Sequence, residues 1–255
     1  MTGLLTIKVG GAAGAHEAAL RRLVAEADPS AVLVHGGGHE IGDLSRRMGL
    51  EAIFNDGRRV TDAATLEIAV AVLAGLVNTR LVAQLGAWGR GAVGVTGVDG
   101  ALARVTPADP AWGAVGDMQS ADAGILASLL VSGLTPVVAP IAALADGTLV
   151  NVNADEMAGA IAAARGGTLL LLTDVDGVQR DGTTLPKLTD AEAEGMLAGG
   201  GASAGMRPKL RAALVAARAG CAVRIVDGRD AETVSAALRG EPSGTEILAT
   251  AEART

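Results

Sequence analysis

The sequence has no tyrosine, one phenylalanine and two tryptophans in 255 residues. Phe54, Trp88 and Trp112 are too few to build a core, so the interior must be aliphatic. A single cysteine, Cys221, excludes an intrachain disulfide and fits a reducing cytoplasm. Positive charge is also in short supply. Against 28 Asp and Glu there are 21 Lys and Arg, a net charge of −7, which argues against a basic face for nucleic acid. The N-terminus shows no charged region followed by an apolar region and a cleavage site. No apolar run reaches the roughly 20 uncharged residues of a membrane span, so a soluble chain is expected. The longest apolar helix candidate, Leu66 to Val77, is interrupted by Glu67 and Gly75 and reads as a buried or interface helix. His16, His35 and His39 lack the spacing and the cysteine or carboxylate company of a zinc site, so no protein-held metal is expected. Neither a Walker loop nor a G-x-G-x-x-G helix start occurs.

What the chain does have is 49% hydrophobic residues and 36 glycines. Strand-like runs alternate with helix-like runs, the pattern of an α/β fold with a mainly parallel sheet. Leu4 to Gly10, Ala31 to His35, Ala92 to Thr96, Thr135 to Ala139, Thr168 to Thr173 and Ala222 to Val226 read as central strands, buried on both faces. Helical spacing covers His16 to Ala27, His39 to Met48, Asp62 to Gly75, Ala121 to Ser132, Asp155 to Arg165, Thr189 to Leu197, Pro208 to Ala219 and Asp230 to Leu238. Residues Gly97 to Gly116 look like a hairpin excursion, with a further turn at Ala145 to Thr148. A helix ending on Gly166-Gly167 before an apolar strand marks a lobe boundary, giving lobes 1–166 and 167–255.

Several polar groups interrupt this pattern. Gly10-Gly11 and Gly36-Gly37-Gly38 follow the first two strands and precede helices, where backbone N–H groups and a helix N-terminus can meet an anion. Ordinary tight turns would need the same glycines. Lys8 is a charge inside an apolar strand at the carboxyl end, where open α/β sheets bind ligands; the alternative is a snorkelling surface lysine. Asn151 and Asn153 share one face of an extended segment, and Asp155 follows in the first turn of a helix, where capping alone would explain it. Lys209 also sits in a first helical turn, where a cation opposes the helix dipole unless an anion is near. Arg59 could clamp a carboxylate bidentately or be a loop arginine. Thr173, Asp174 and Gly177 end a strand in a run with a second carboxylate, Asp176, which suits turn formation, a metal or a nucleotide. Gly94, Gly97 and Gly100 recur at three-residue intervals, a spacing with no specific meaning of its own.

In order, KVGG, VHGGG, NDGRRVTD, NVNAD, LLLTDVDGV and GMRPK resemble the amino acid kinase family, over Ile7 to Leu248. The resemblance implies a three-layer αβα sandwich around a mainly parallel sheet. An N-terminal lobe would hold an acyl amino acid and a C-terminal lobe ATP. It implies that Lys8 and Lys209 embrace the transferring phosphoryl and that Asp155 holds both lysines. Gly10 and Gly11 would meet the β-phosphate, Gly36 and Gly37 the acceptor carboxylate and incoming phosphate. Arg59 and Asn151 would hold the substrate α-carboxylate, and Thr173, Asp174 and Gly177 the nucleotide. Arg58 departs from the family's pattern, which has a hydrophobic residue before the clamp arginine.

The activity implied is ATP-dependent phosphorylation of the γ-carboxylate of N-acetyl-L-glutamate, in arginine biosynthesis, with Mg²⁺ entering on ATP. Alternatives are a kinase for carrier-protein-bound α-aminoadipate or glutamate in lysine biosynthesis, or a silent nucleotide-binding module. An ionised carboxylate is already a nucleophile at neutral pH, so no catalytic His or Cys is needed. The apolar helix from Asp62 implies a homodimer. Arginine-inhibited members of the family carry an extra N-terminal helix, and with Met1 to Ile7 alone before Lys8 the expectation is a dimer insensitive to L-arginine.

Overall fold

The computed structural model describes residues 4–10, 17–27, 30–55 and 58–250. The chain opens with β1 (Leu5–Val9), α1 (Glu17–Glu26), β2 (Ala31–His35) and α2 (Gly38–Arg47). A short ribbon, β3 (Phe54–Asn55) and β4 (Arg58–Arg59), leads into α3 (Ala63–Val70), π-helical turns over Ala71–Val77, and α4 (Asn78–Ala87). Then come β5 (Ala92–Thr96), β6 (Ala103–Pro107), β7 (Val115–Ala121), α5 (Gly124–Val131), β8 (Thr135–Ala139), β9 (Ile141–Ala143), β10 (Leu149–Val152) and α6 (Ala154–Arg165). The remainder is β11 (Thr168–Thr173), β12 (Gln179–Arg180), β13 (Thr183–Thr184), β14 (Lys187–Thr189), α7 (Asp190–Ala198), α8 (Arg207–Arg218), β15 (Ala222–Asp227), α9 (Ala231–Arg239) and β16 (Thr245–Leu248).

One eight-stranded sheet, in the order β14-β16-β15-β11-β1-β2-β8-β5, runs through the molecule. Every neighbouring pair is parallel except β15 and β16. Its central strands are continuous aliphatic runs because helices cover both faces. On one face Ile7, Leu33, Val137 and Leu170 pack with Leu20 of α1, Leu73 and Leu81 of the long helix and Val234 of α9. On the other, Val34, Val138 and Leu171 pack with Met157 and Ile161 of α6 and Leu210 and Leu214 of α8. The architecture is therefore α/β, three layers deep. A four-stranded sheet, β6-β7-β10-β9, carries the segment after β5, with β6 and β7 antiparallel as the hairpin reading requires.

Two expectations need correction. The run Ala92 to Thr96 does form β5, but at the sheet edge and only partly buried, because no strand among the described residues pairs beyond it. The helix expected to stop at Gly75 continues as one helix, Ala63–Ala87, which by length and composition alone could cross a membrane. Gly75 does not end it because Val77, Leu81 and Leu85 keep its inner face on the sheet. At the expected lobe boundary α6 ends on Gly166 and Gly167, both at positive φ, and a Cβ on Gly167 would lie 2.1 Å from the Leu4 carbonyl oxygen. β11 then enters the same sheet beside β1.

Candidate active site

Alternation along β1 decides where its one charge goes. Ile7 and Val9 belong to the α1 face of the sheet, so Lys8 emerges on the α6 face. There its Nζ lies 3.0 Å from Oδ1 of Asp155, which Asn153 places by capping α6 through the backbone N–H groups of Asp155 and Glu156. Lys209, in the first turn of α8, brings its Nζ to 3.4 Å from Oδ2 of the same carboxylate. Pro208 is the second helical residue there, not the first as the sequence suggested. All three side chains are largely buried.

Two glycines make the arrangement possible. A Cβ on Gly159 would stand 2.7 Å from the carbonyl oxygen of Ala212, so Gly159 lets α6 and α8 approach closely. Asp155 and Lys209 lie about one turn from that crossing, on the two facing helices. A Cβ on Gly10 would lie 3.1 Å from Lys8 Nζ and 2.9 Å from the Leu172 carbonyl oxygen, so Gly10 leaves room for the ammonium.

Burial would raise the Asp155 carboxyl, but the two ammonium groups outweigh it and hold it below its ordinary value. Burial pulls the Lys8 ammonium down, Asp155 opposes this, and Lys209 adds to it. The result is one carboxylate with two cations at the carboxyl edge of a parallel sheet, a charge arrangement suited to a polyanion.

Beside it is a cleft of about 160 Å³, lined by Gly36, Gly37, Arg59, Asn151, Asn153 and Leu73 among others. Both asparagine amides are engaged differently from a simple shared face: Asn153 caps α6, and Asn151 Nδ2 donates to Thr61 Oγ1 at 3.3 Å. Arg59 is buried, stacked 4.6 Å from the Phe54 ring centroid, and its NH2 donates to the Gly38 carbonyl at 2.8 Å. Its NH1 is buried without a hydrogen-bond partner among the described residues, a cation with a donor to spare for an anion. Burial lowers its affinity for a proton.

Arg58 also reaches the edge of this cleft, but both its terminal nitrogens are engaged by carboxylates, and its buried Nε alone lacks a partner among the described residues. It pairs with Asp117 of β7 and donates from NH2 to both oxygens of Glu156 at 2.7 and 2.9 Å, with its guanidinium 4.9 Å from the Trp112 ring centroid. Burial raises the Glu156 carboxyl, with Arg58 opposing. These partners were not legible in the sequence.

Thr173 and Asp174 stand at the carboxyl end of β11, next to β1, with Thr173 Oγ1 3.3 Å from Asp174 Oδ1. Gly177 instead packs against Thr245 of β16 and Thr184 of β13. It sits at φ +146°, with Thr245 Oγ1 2.6 Å from where a Cβ would be, which accounts for the glycine by packing alone. Gly11 lies outside the described residues. The described residues contain no group of three His, Cys, Asp or Glu side chains that could hold a metal ion.

Comparison with known proteins puts this geometry in context. The amino acid kinase family matches residues 4–227. Acetylglutamate kinase of Rubrobacter xylanophilus is 44% identical over 246 residues, covering 95% of this chain and 96% of its own. Acetylglutamate kinase of Serratia proteamaculans is 39% identical over 254 residues, covering 96% of this chain and 99% of its own. Among solved structures, a Streptococcus mutans protein superposes with a TM-score of 0.82 at 25% identity, over 97% of this chain and 99% of its own.

Proposed function

The chain belongs to the amino acid kinase family, and we propose that it is an ATP-dependent kinase for the γ-carboxylate of N-acetyl-L-glutamate, making an acyl phosphate for arginine biosynthesis. The observation that carries this is the Lys8, Asp155 and Lys209 cluster beside a small cleft containing an arginine with an unpartnered donor. A free carboxylate oxygen attacks the γ-phosphorus of ATP as the bond to the β-phosphate bridging oxygen breaks and ADP leaves. Lys8 and Lys209 neutralise charge on the phosphoryl group in flight, and Asp155 keeps both aimed. Arg59 takes the α-carboxylate, with Asn151 beside it, while Gly36 and Gly37 face the reacting end. No general base is required, because the nucleophile is already ionised.

ATP lies against residues 167–255, with Gly10 and Gly11 at its β-phosphate and Thr173, Asp174 and Gly177 on the nucleotide side; the acyl amino acid lies against residues 1–166. Asp155 is committed to two lysines, which suits a Mg²⁺ that arrives on the phosphates and keeps several waters. Magnesium bound this way supplies further charge neutralisation. The net charge of −7 favours a free small acid over an acidic carrier protein. Cys221 is free and buried, in keeping with a reducing cytoplasm. The helix Ala63–Ala87 leaves Ala71, Gly75 and Leu76 exposed on its outer side, and we assign that face to a second copy of the chain. Incubation with ATP, Mg²⁺ and N-acetyl-L-glutamate, trapping product with hydroxylamine, should yield a hydroxamate. Its absence, or its appearance only with a carrier-bound acceptor, would overturn this reading.

A further inference from the structure

His35 is the last residue of β2, directly before the Gly36-Gly37-Gly38 loop, and nothing in the reaction above uses it. It is 1% exposed, and burial is the main reason its pKa falls to about 4; the bond to Gly36 opposes the shift and the Lys8 ammonium adds to it. The ring is therefore neutral at physiological pH, with one nitrogen donating and the other accepting.

Asn78 decides which. Its Nδ2 lies 2.9 Å from the Val137 carbonyl oxygen, which can only accept, and 3.1 Å from His35 Nε2. One amide hydrogen goes to the carbonyl and the other to Nε2, so Nε2 carries the lone pair. The proton is on Nδ1, 2.7 Å from the Gly36 carbonyl oxygen, to which it donates. Asn78 cannot reverse its amide without facing one carbonyl oxygen with another. Its Oδ1 occupies the space above Gly94, where a Cβ would lie 1.8 Å from it. The glycine in β5 is thus explained: it makes room for the residue that sets the tautomer.

The consequence falls on the next peptide. A trans peptide points its C=O and N–H in opposite directions, so holding the Gly36 carbonyl against the ring turns the Gly37 N–H away from it. Gly36, Gly37 and Gly38 all line the cleft. A peptide between two glycines flips readily, because neither residue restricts φ and ψ much. Flipped, it would present a carbonyl oxygen to an incoming anion.

Building on the kinase reading above, we propose that His35 and Asn78 are positioning residues that lock the Gly36–Gly37 peptide with its N–H toward the acceptor carboxylate and transferring phosphoryl. The lock needs the Nδ1 proton, and Asn78 supplies the donor that keeps it there.

Two substitutions separate this from a packing role. In His35→Asn the amide nitrogen falls near the position of Nδ1 and can still donate to Gly36, while the partner of Asn78 is lost. In His35→Gln the amide reaches the Nε2 position and keeps Asn78 company, while the donor to Gly36 is lost. The expected order is kcat within about tenfold of wild type for His35→Asn and a loss of about a hundredfold or more for His35→Gln, the scale of a misplaced transition-state donor. KM for ATP should stay within about twofold of wild type in both, and thermal stability should follow the reverse order. Equal kcat losses, or the opposite order, overturn the proposal. A readout independent of turnover comes from ¹⁵N NMR of the histidine-labelled free protein. Wild type should show the Nδ1–H tautomer at His35, and Asn78→Asp, whose carboxylate can only accept, should convert it to a form protonated at Nε2. An Nε2–H tautomer in wild type refutes the lock whatever the enzyme phosphorylates. A wild-type protein with the expected tautomer and no hydroxamate product refutes the substrate assignment instead.

Discussion

Replacing Asp155 with asparagine tests the centre of the site, because it removes one negative charge and almost no volume. In the native protein two ammonium groups lie 3.0 and 3.4 Å from its oxygens, in surroundings where no partner is more than 13% exposed. The variant leaves two buried cations facing a neutral amide. Removing one partner of a buried pair costs about 3–5 kcal/mol. For a chain of this size each kcal/mol lowers Tm by about 2–4 °C, so a fall of about 6–20 °C is expected by calorimetry. Turnover should fall about 100- to 1000-fold, as the lysines lose their anchor. The pH dependence carries the sharper signature. Burial already pulls Lys8 below the ordinary lysine value of 10.5, and Asp155 is the chief opposing influence. Without it the ammonium loses its proton at still lower pH. The alkaline limb of kcat/KM, which reports the free enzyme, should lie below 10.5 in wild type and move further down in Asp155→Asn. Asp155 itself has a depressed pKa, so its stabilisation is present above the ordinary carboxylate value and is lost as pH falls through the depressed one. The variant should lack that acid-side component. An unmoved alkaline limb together with near-native turnover would refute the role given to this carboxylate.

Much of this site was legible because its residues violate their local surroundings. Lys8 is a charge in a buried strand, and Lys209 is a cation at the wrong end of a helix dipole. Such misfits need an external partner, and here each found Asp155. Strands β1, β2, β8 and β11 were equally readable, since a strand covered on both faces must be apolar along most of its length. Sheet order was not readable: β5 has a composition much like its neighbours', and only pairing across the chain makes it an edge. Gly159 illustrates a second blind spot. Within a helical pattern a glycine registers as a small penalty, and its purpose appears only when Ala212 of α8 lies against it. The partners of Arg58 were hidden for the same reason, being 59 and 98 residues away. Gly75 misled in the other direction, since tertiary packing carried the helix past a residue that local propensity marks as its end.

Arg59→Ala should raise KM for N-acetyl-L-glutamate by about tenfold or more and leave KM for ATP nearly unchanged, because the proposed clamp is lost while the nucleotide side is intact. The same pattern from Arg58→Ala alone would exchange the roles of the two arginines. If the proposed dimer forms through the outer face of the long helix, Leu76→Glu places a charge there and should leave a monomer by light scattering; a wild-type monomer at micromolar concentration would refute that interface. Arg58→Leu should cost about 3–5 kcal/mol, read as a lower Tm, because it strands Glu156, whose carboxyl burial already pushes up. The double variant Arg58→Leu, Glu156→Leu removes both buried charges, leaves only the more exposed Asp117 without its arginine, and should recover most of that loss, since a buried pair replaced together is often nearly neutral. Arg58 adjoins Arg59 and Glu156 adjoins Asp155, so the pair also spans the gap between the proposed substrate clamp and the carboxylate that holds the two lysines. If its purpose is to fix that span, the double variant will regain stability and still bind the acyl amino acid poorly. Full recovery of both would make the pair a packing choice with no part in the reaction.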